Sequence, residues 1–574
     1  MLDLLIRGGT VVDGTGRNRR RVDIGVRAGR VVTDLDGQTA RRTVDADGLV
    51  VAPGFVDLHT HYDAQLFWDP TASPSTLHGV TTVLGGNCGF TLAPAGPEHA
   101  DYLMRMMARV EGMPLAALES GLPWDWTSYD DWISRLDGKV GVNAGFLVGH
   151  SAIRRAVMGD ASHEPATQAQ VDQMVALLHE CLTAGGLGFS SSQAHTHNDG
   201  EGLPVPSRAA SADELLALAR AVRDHEGTTL EFITAGCING FTDDEMNLMA
   251  DMSLQANRPL NWNVLGVSAL SKQHEHQLSA SDVAAERGAR VVALTLPHLM
   301  SIRLSFLTGV VLEALPGWKD VLSLPVPERI QALRDPGVRE RMRAGADSDE
   351  AGMLRGLANW HRLNIAETFA PENEGLAGRS VGSIAKQRGA DAFDVLLDVV
   401  TADELRTGLQ PPMMGNDDDD WKLRAEVWRD PRTVIGGSDA GAHLDMMCGA
   451  TYSTSLLSNA VRERGLLSLE EAVHELTDVP ARLYGIRDRG RIADGWYADL
   501  ILFDPDTIGH GPERTRYDLP SGAPRLFAEA SGVHRVFVNG AEVVSEGVAT
   551  GAVPGTVLRS GRDTETVTVV GGGE

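Results

Sequence analysis

The chain reads as an α/β protein, a (β/α)8 TIM-like barrel with a small β-sandwich built from both termini. Two observations predict this. Between residues 54 and 438, short apolar runs separated by long helical patterns recur eight times. That texture belongs to parallel strands with helical crossovers, and eight strands close a barrel. The two ends of the chain instead alternate apolar and polar residues between Gly-rich turns, as antiparallel strands with one wet face do.

Along the chain, Leu5-Ile6-Arg7, Thr10-Val11-Val12-Asp13 and Asp23-Ile24-Gly25-Val26 are the first short strands. The eight barrel runs are 54–59, 80–86, 142–149, 186–191, 228–232, 260–265, 289–294 and 433–438. The long gap between the seventh and eighth, about 296–432, is assigned to a helical insertion containing Trp318, Trp360 and Trp421. Its acidic run Asp417 to Asp420 reads as a solvated loop, since a calcium loop needs spaced ligands and a glycine. The alternating style returns in Ala498 to Phe503 and in His534 to Gly540. The expected division is therefore a composite β-sandwich domain, 1–53 with 485–574, around a barrel at 54–484.

Composition narrows the function. A 574-residue chain with a formal charge of −27 would be repelled by nucleic-acid phosphates and offers no basic patch to anionic membranes. Cys88, Cys181, Cys237 and Cys448 are too far apart for a small-domain disulfide pattern, which suits a reducing compartment. Asp3 and Arg7 interrupt the apolar start, and no uninterrupted apolar run reaches membrane-spanning length. The expectation is a cytoplasmic protein with a small-molecule substrate and neither nucleic acid nor membrane as partner; assembly into a homo-oligomer is left open.

The strongest local chemical signal is Phe55-Val56-Asp57-Leu58-His59-Thr60-His61, an apolar strand ending in two histidines one residue apart. Strand side chains alternate, so His59 and His61 project the same way and can share one metal ion at the barrel mouth. Two polar residues in a loop are the plainer alternative, and the preceding Val51-Ala52-Pro53-Gly54 favours the metal.

The run Val51 to Asp63, VAPGFVDLHTHYD, resembles the opening of the amidohydrolase superfamily, and more narrowly its D-aminoacylase (N-acyl-D-amino-acid deacylase) branch. The likeness continues in Glu111-Gly112-Met113-Pro114, in Val148-Gly149-His150 with Arg154 and Met158-Gly159, and in Gly490-Arg491-Ile492 with Gly495 and Ala498-Asp499-Leu500. It implies a cysteine metal ligand after the second strand, which Gly85-Gly86-Asn87-Cys88-Gly89 matches; a thiolate beside a dication bridges well. It also implies that Asp439, in Gly436-Gly437-Ser438-Asp439, is both a metal ligand and the group that moves protons as general base and acid. The implied cofactor is one or two divalent ions, zinc first, with manganese or iron tolerated.

The pattern breaks at the fifth and sixth strands, where the branch carries metal-binding histidines. Here they read Thr228-Thr229-Leu230-Glu231-Phe232-Ile233 and Leu260-Asn261-Trp262-Asn263-Val264-Leu265. Alternation turns Thr229, Glu231, Asn261 and Asn263 inward, so Glu231 is assigned as a metal ligand, although a gapless alignment puts the histidine at Phe232. His150, Asn263, Arg208, His195 and His197 are assigned to substrate. Ala440 to Cys448 lacks the basic residues wanted beside a substrate carboxylate, leaving Arg208 and Arg303 as replacements. Met446 and Met447, with Met104, Met106 and Met107, suggest either an adaptable apolar pocket or ordinary core.

The expected reaction is hydrolysis of a non-peptide C–N amide bond, on an N-acyl-amino-acid-like substrate, by metal-activated water. Opening of a cyclic amide or imide is the alternative on the same machinery. A non-catalytic assembly protein would not need four convergent ligands.

Overall fold

The computed structural model describes residues 1–569 apart from Val310 and Met414. The predicted sandwich segment thus ends, at 570–574, outside the described residues. Eight parallel strands form the barrel: Phe55–Asp57, Val80–Gly85, a third broken at Leu147 into Asn143–Phe146 and Val148–Gly149, then Gly188–Ser192, Thr229–Ile233, Leu260–Leu265, Val291–Thr295 and Thr433–Ile435. The ring closes where Thr60 pairs in parallel with Ala440, just beyond the first and eighth strands. Val56, Leu84, Leu187, Val292, Leu294 and Val434 pack as one apolar plug, with Tyr484 among them. The barrel is therefore filled and chemistry is confined to its rim.

The outer helices start where the sequence caps them. Thr167, Thr242 and Ser468 each accept from the backbone three residues on, while Gln170, Glu245 and Glu471 return the bond. These reciprocal caps satisfy amides that the first helical turn leaves unpaired.

Strands from both ends of the chain share one seven-stranded sheet, in which Val50–Pro53 pairs antiparallel with Leu500–Phe503. A four-stranded sheet from residues 2–45 packs against it through Leu4, Ile6, Val26, Val44, Leu500 and Leu502. The opposite face carries Ile501, Phe503, Val536 and Val538 into the barrel's own core. Gly79 makes that approach fit: its φ is +87°, and a Cβ there would stand 2.2 Å from Ile501 Cδ1.

The C-terminal part departs from the expected sandwich in two places. Residues 509–531 leave the sheet as two small ribbons, Gly509–His510 with Ala530–Ser531 and Arg514–Arg516 with Arg525–Phe527. Beyond Ala549 the chain runs back along the barrel, where Leu558 donates to Ala144 and Thr564 to Gly227. Neither excursion has an alternation strong enough to announce itself.

The insertion has its own core of Phe306, Trp318, Leu333, Trp360, Phe393 and Leu396, with Trp318 stacked on Trp360 at 5.4 Å. It also holds a two-stranded ribbon, Asn364–Glu367 with Gly408–Gln410. Trp421 belongs instead to the barrel core, on the helix Asp418–Trp428. Asp417 caps that helix and the next three aspartates fill its first turn, where negative charge is favoured. The acidic run is therefore the start of a helix, with Asp420 buried, and not the expected solvated loop. Among the described residues no helix is long and apolar enough to cross a membrane.

Candidate active site

The first strand stops at Asp57, and His59 and His61 stand on the turn beyond it, at the rim. Cys88 follows the second strand on a tight turn that Gly86 makes possible: its φ is +74°, and a Cβ would meet the Leu147 carbonyl oxygen at 2.3 Å. Asp439 follows the eighth strand. Cys88 (φ 58°), Asp439 (φ 57°) and His443 (φ 48°) are all left-handed without being glycine. Such strain, of order 1–2 kcal/mol per residue, persists where surrounding structure imposes it, and functional sites are the usual place.

These elements bring His59, His61, Cys88 and Asp439 together, as the sequence leads one to expect. Cys88 Sγ lies 3.4 Å from His59 Nε2 and 3.9 Å from His61 Nε2. Asp439 Oδ1 lies 3.5 Å from His59 Nε2 and 3.1 Å from His61 Nε2. A further carboxylate joins them: Glu111 Oε2 is 3.5 Å from His61 Nε2. Two overlapping donor groups result, His59/His61/Cys88 and His61/Glu111/Asp439, each with its atoms within 4.8 Å of one another.

The donors fit a divalent ion. Ligand bonds of about 2.0–2.3 Å put the corners of a tetrahedron about 3.3–3.8 Å apart, close to the 3.1–3.9 Å between these donors. The electrostatics agree. Burial, then Glu231, Glu111 and Asp439, push the Cys88 thiol well above its usual range. Burial and the neighbouring carboxylates likewise raise Glu111. Burial works against ionisation of Asp439 too, but hydrogen bonds from His59 and His61 overcome it and hold the carboxyl well below the usual value. A crowd of acids around two imidazoles has an unmet need for positive charge, which a dication supplies.

Glu231 faces the lumen as alternation requires, yet it is absent from both donor groups. Its Oε2 accepts the Cys88 backbone N–H at 2.8 Å and its Oε1 accepts from Asn263 Nδ2. Glu231, assigned from the sequence as a ligand, thus stands outside both donor groups and holds the strained turn that presents Cys88, while Glu111 is the carboxylate beside His61. Partners that orient a ligand typically matter 10- to 100-fold in metal affinity. Glu231→Ala is expected to weaken metal binding by about that factor, while Glu231→Gln, which keeps an acceptor for the Cys88 amide, retains most of it; competition titration with a chelating dye distinguishes the two.

Of the residues assigned to substrate, Asn263 and His197 line the cavity. His197 receives support from Ser192 Oγ at 2.8 Å and from the Phe90 ring, and burial, reinforced by His443 and His61, lowers its pKa to about 3, so it stays neutral. His150 does not face the cavity. The break at Leu147 ends the strand's alternation, and His150 opens a helix, bonded to Ser191 Oγ at 2.8 Å and to Glu214 at 2.9 Å, with Arg154 closing a buried network. His195 and Arg208 also lie outside: Arg208 bonds Asn198 and the His197 carbonyl and approaches His195 at 3.4 Å. Arg303 reaches the cavity wall but is paired with Glu367 at 2.8 Å. Met446 and Met447 line the cavity, whereas Met106 and Met107 are core.

Sequence reasoning missed three contributors. Glu111 follows a helix between the second and third strands, so no strand alternation points to it; only its place in a resembling motif gave a hint. His443 stands 3.6 Å from Asp439 Oδ2 on a left-handed turn. Arg514 comes from the C-terminal ribbons, lines the cavity and has no ion pair among the described residues.

The sequence pattern of the Amidohydrolase family matches residues 42–544. The chain is 28% identical to the D-aminoacylase of Alcaligenes xylosoxydans xylosoxydans over 97% of both chains. It is 30% identical to that organism's N-acyl-D-aspartate deacylase, over 97% of this chain and 95% of the relative. Its fold superposes on the N-acyl-D-glutamate deacylase of Bordetella bronchiseptica, solved with zinc and a phosphonate inhibitor, with a TM-score of 0.64 and 25% identity, over 97% of this chain and all of that one. The cluster at the barrel mouth, the small sheet domain and these likenesses lead to one assignment: the chain belongs to the amidohydrolase family, enzymes that hydrolyse C–N bonds other than peptide bonds.

Proposed function

We propose that this enzyme removes the acyl group from an N-acyl amino acid. The observation that carries the reading is the convergence of His59, His61, Cys88, Glu111 and Asp439 at the mouth of a large cavity. Its relatives' names, deacylases of N-acyl-D-amino acids, make D-substrates the first choice.

His59, His61 and Cys88, with Glu111 and Asp439, would hold one or two divalent ions, zinc in preference. Such an ion polarises a carbonyl and acidifies water. Asp439 is the proton carrier: it is ionised, partly open to the cavity, and its Oδ2 faces His443, so it can take a proton from water and deliver it to the departing nitrogen. Neutral His197 and Asn263 offer hydrogen bonds to the amide from the cavity wall. Arg514, unpaired and at the wall, replaces Arg208 and Arg303 as the partner for a substrate carboxylate.

Arg514→Met is expected to raise KM for anionic N-acyl amino acids about tenfold, the low end for a charge-assisted bond at an exposed site, with little change in kcat. The corresponding amides, which lack the carboxylate, should not distinguish variant from wild type in steady-state assays.

The test of the reading is a panel of N-acyl-D- and N-acyl-L-amino acids, hydantoins and dihydropyrimidines, assayed for released amine and for ring opening. Release of free amino acid from the acyl substrates is the expected result. Turnover confined to the cyclic imides would replace this reading with the alternative one.

A further inference from the structure

Resting on the deacylase reading, we infer that the acyl group removed is a long, apolar chain, bound along the wall made by the loop after the seventh strand and the insertion. The cavity measures about 1110 Å³, above the usual range of about 300–1,000 Å³ for small-molecule sites. An acetyl group would leave most of it wet. The lining includes Leu296, Leu299, Ile302, Ile365, Met446 and Met447, and Arg303 beside them is neutralised by its pairing with Glu367. Methionines and branched side chains in such numbers suit a flexible hydrocarbon better than a polar or planar group.

A second, independent observation lies at the mouth. Ile238, Met300 and Met413 line the cavity and are 57%, 49% and 45% exposed. Large apolar side chains gathered at the rim of a pocket, on a chain otherwise carrying a charge of −27, mark a binding surface and not a general property of the exterior. Arg514 supplies a cation to the same cavity. Apolar wall, apolar rim and cation together match an amphiphile: a hydrocarbon tail, an amide, and a carboxylate on the amine side. In the reaction the acyl carbon–nitrogen bond breaks and a carbon–oxygen bond to water forms. One water proton goes to the nitrogen and the products are a fatty acid and an amino acid, with no change of oxidation state.

The experiment uses the metal-loaded enzyme and one amino acid acylated with chains from acetyl to tetradecanoyl, below their micelle-forming concentrations. Each buried methylene is expected to raise kcat/KM about fourfold until the wall is covered. Met300→Asp and Ile238→Asp, both exposed positions, should narrow the dodecanoyl-to-acetyl ratio by tenfold or more. A flat or falling profile with chain length, or selectivity that follows the amino-acid side chain while acyl length is indifferent, would overturn the inference even with the deacylase reading intact. If no N-acyl amino acid of any length is cleaved, the deacylase reading fails, and calorimetric titration with dodecanoate against acetate still reads the acyl wall. Binding of dodecanoate more than 100-fold tighter supports the wall; equal affinity rejects it.

Discussion

Asp439→Asn is expected to lower kcat/KM by about 10³-fold, the loss that follows removal of a positioned acid–base group. Asparagine keeps the shape and one acceptor oxygen, so the His59 and His61 contacts survive in part and the barrel fold is unaffected. What disappears is the capacity to accept a proton from water and return it to nitrogen. Hydrogen bonds from two imidazoles outweigh its burial and hold the wild-type carboxyl well below the usual carboxylate range, which favours the form that can accept a proton. Steady-state kinetics on metal-replete protein, with metal content measured in parallel, checks this. Activity within tenfold of wild type would remove Asp439 from the proton path.

Stripping the protein with a chelator is expected to reduce activity to below about 1%, with recovery on adding roughly one to two equivalents of zinc per chain. The same treatment should lower the melting temperature, because a ligand that binds only the folded state at 100 times its Kd stabilises it by about 2.7 kcal/mol. Cys88→Ala extends the argument to a named donor. It removes Sγ from the group within reach of His59 and His61 while leaving the Glu231 contact, which is to the backbone. The variant should therefore fold, bind metal poorly and lose most activity. Elemental analysis showing full metal content in active Cys88→Ala would sink the donor assignment.

The sequence made the barrel legible because its strands are short apolar runs with helices of capped, conventional pattern between them. It made His59 and His61 legible because they follow a strand one residue apart, and Cys88 and Asp439 because the resembling family places its ligands at the ends of those strands. Alternation also turned Glu231 and Asn263 correctly toward the lumen, but direction does not say what a side chain meets. Glu231 meets an amide first. His150 was misplaced because the third strand breaks at Leu147, and the two-residue period does not survive a break. Glu111, His443 and Arg514 escaped for a different reason: they sit after a helix, on a left-handed turn and on a ribbon about eighty residues beyond the last barrel strand, where position in space depends on contacts no local pattern encodes.

The pairing of Arg303 with Glu367 bears on how substrate comes and goes. Glu367 also accepts from the backbone and hydroxyl of Thr515, and Arg303 donates to the Glu513 carbonyl. One nearly water-free ion pair, its side chains 8% and 13% exposed, thus rivets together the seventh-strand loop, the insertion and the C-terminal ribbons. Parting the loop from the insertion would strand a charge in a poorly hydrated place, at a cost of several kcal/mol, and moving the ribbons would break the Glu513 and Thr515 hydrogen bonds. The pocket is pinned at this point, and the apolar lip of Ile238, Met300 and Met413 stands exposed at its mouth.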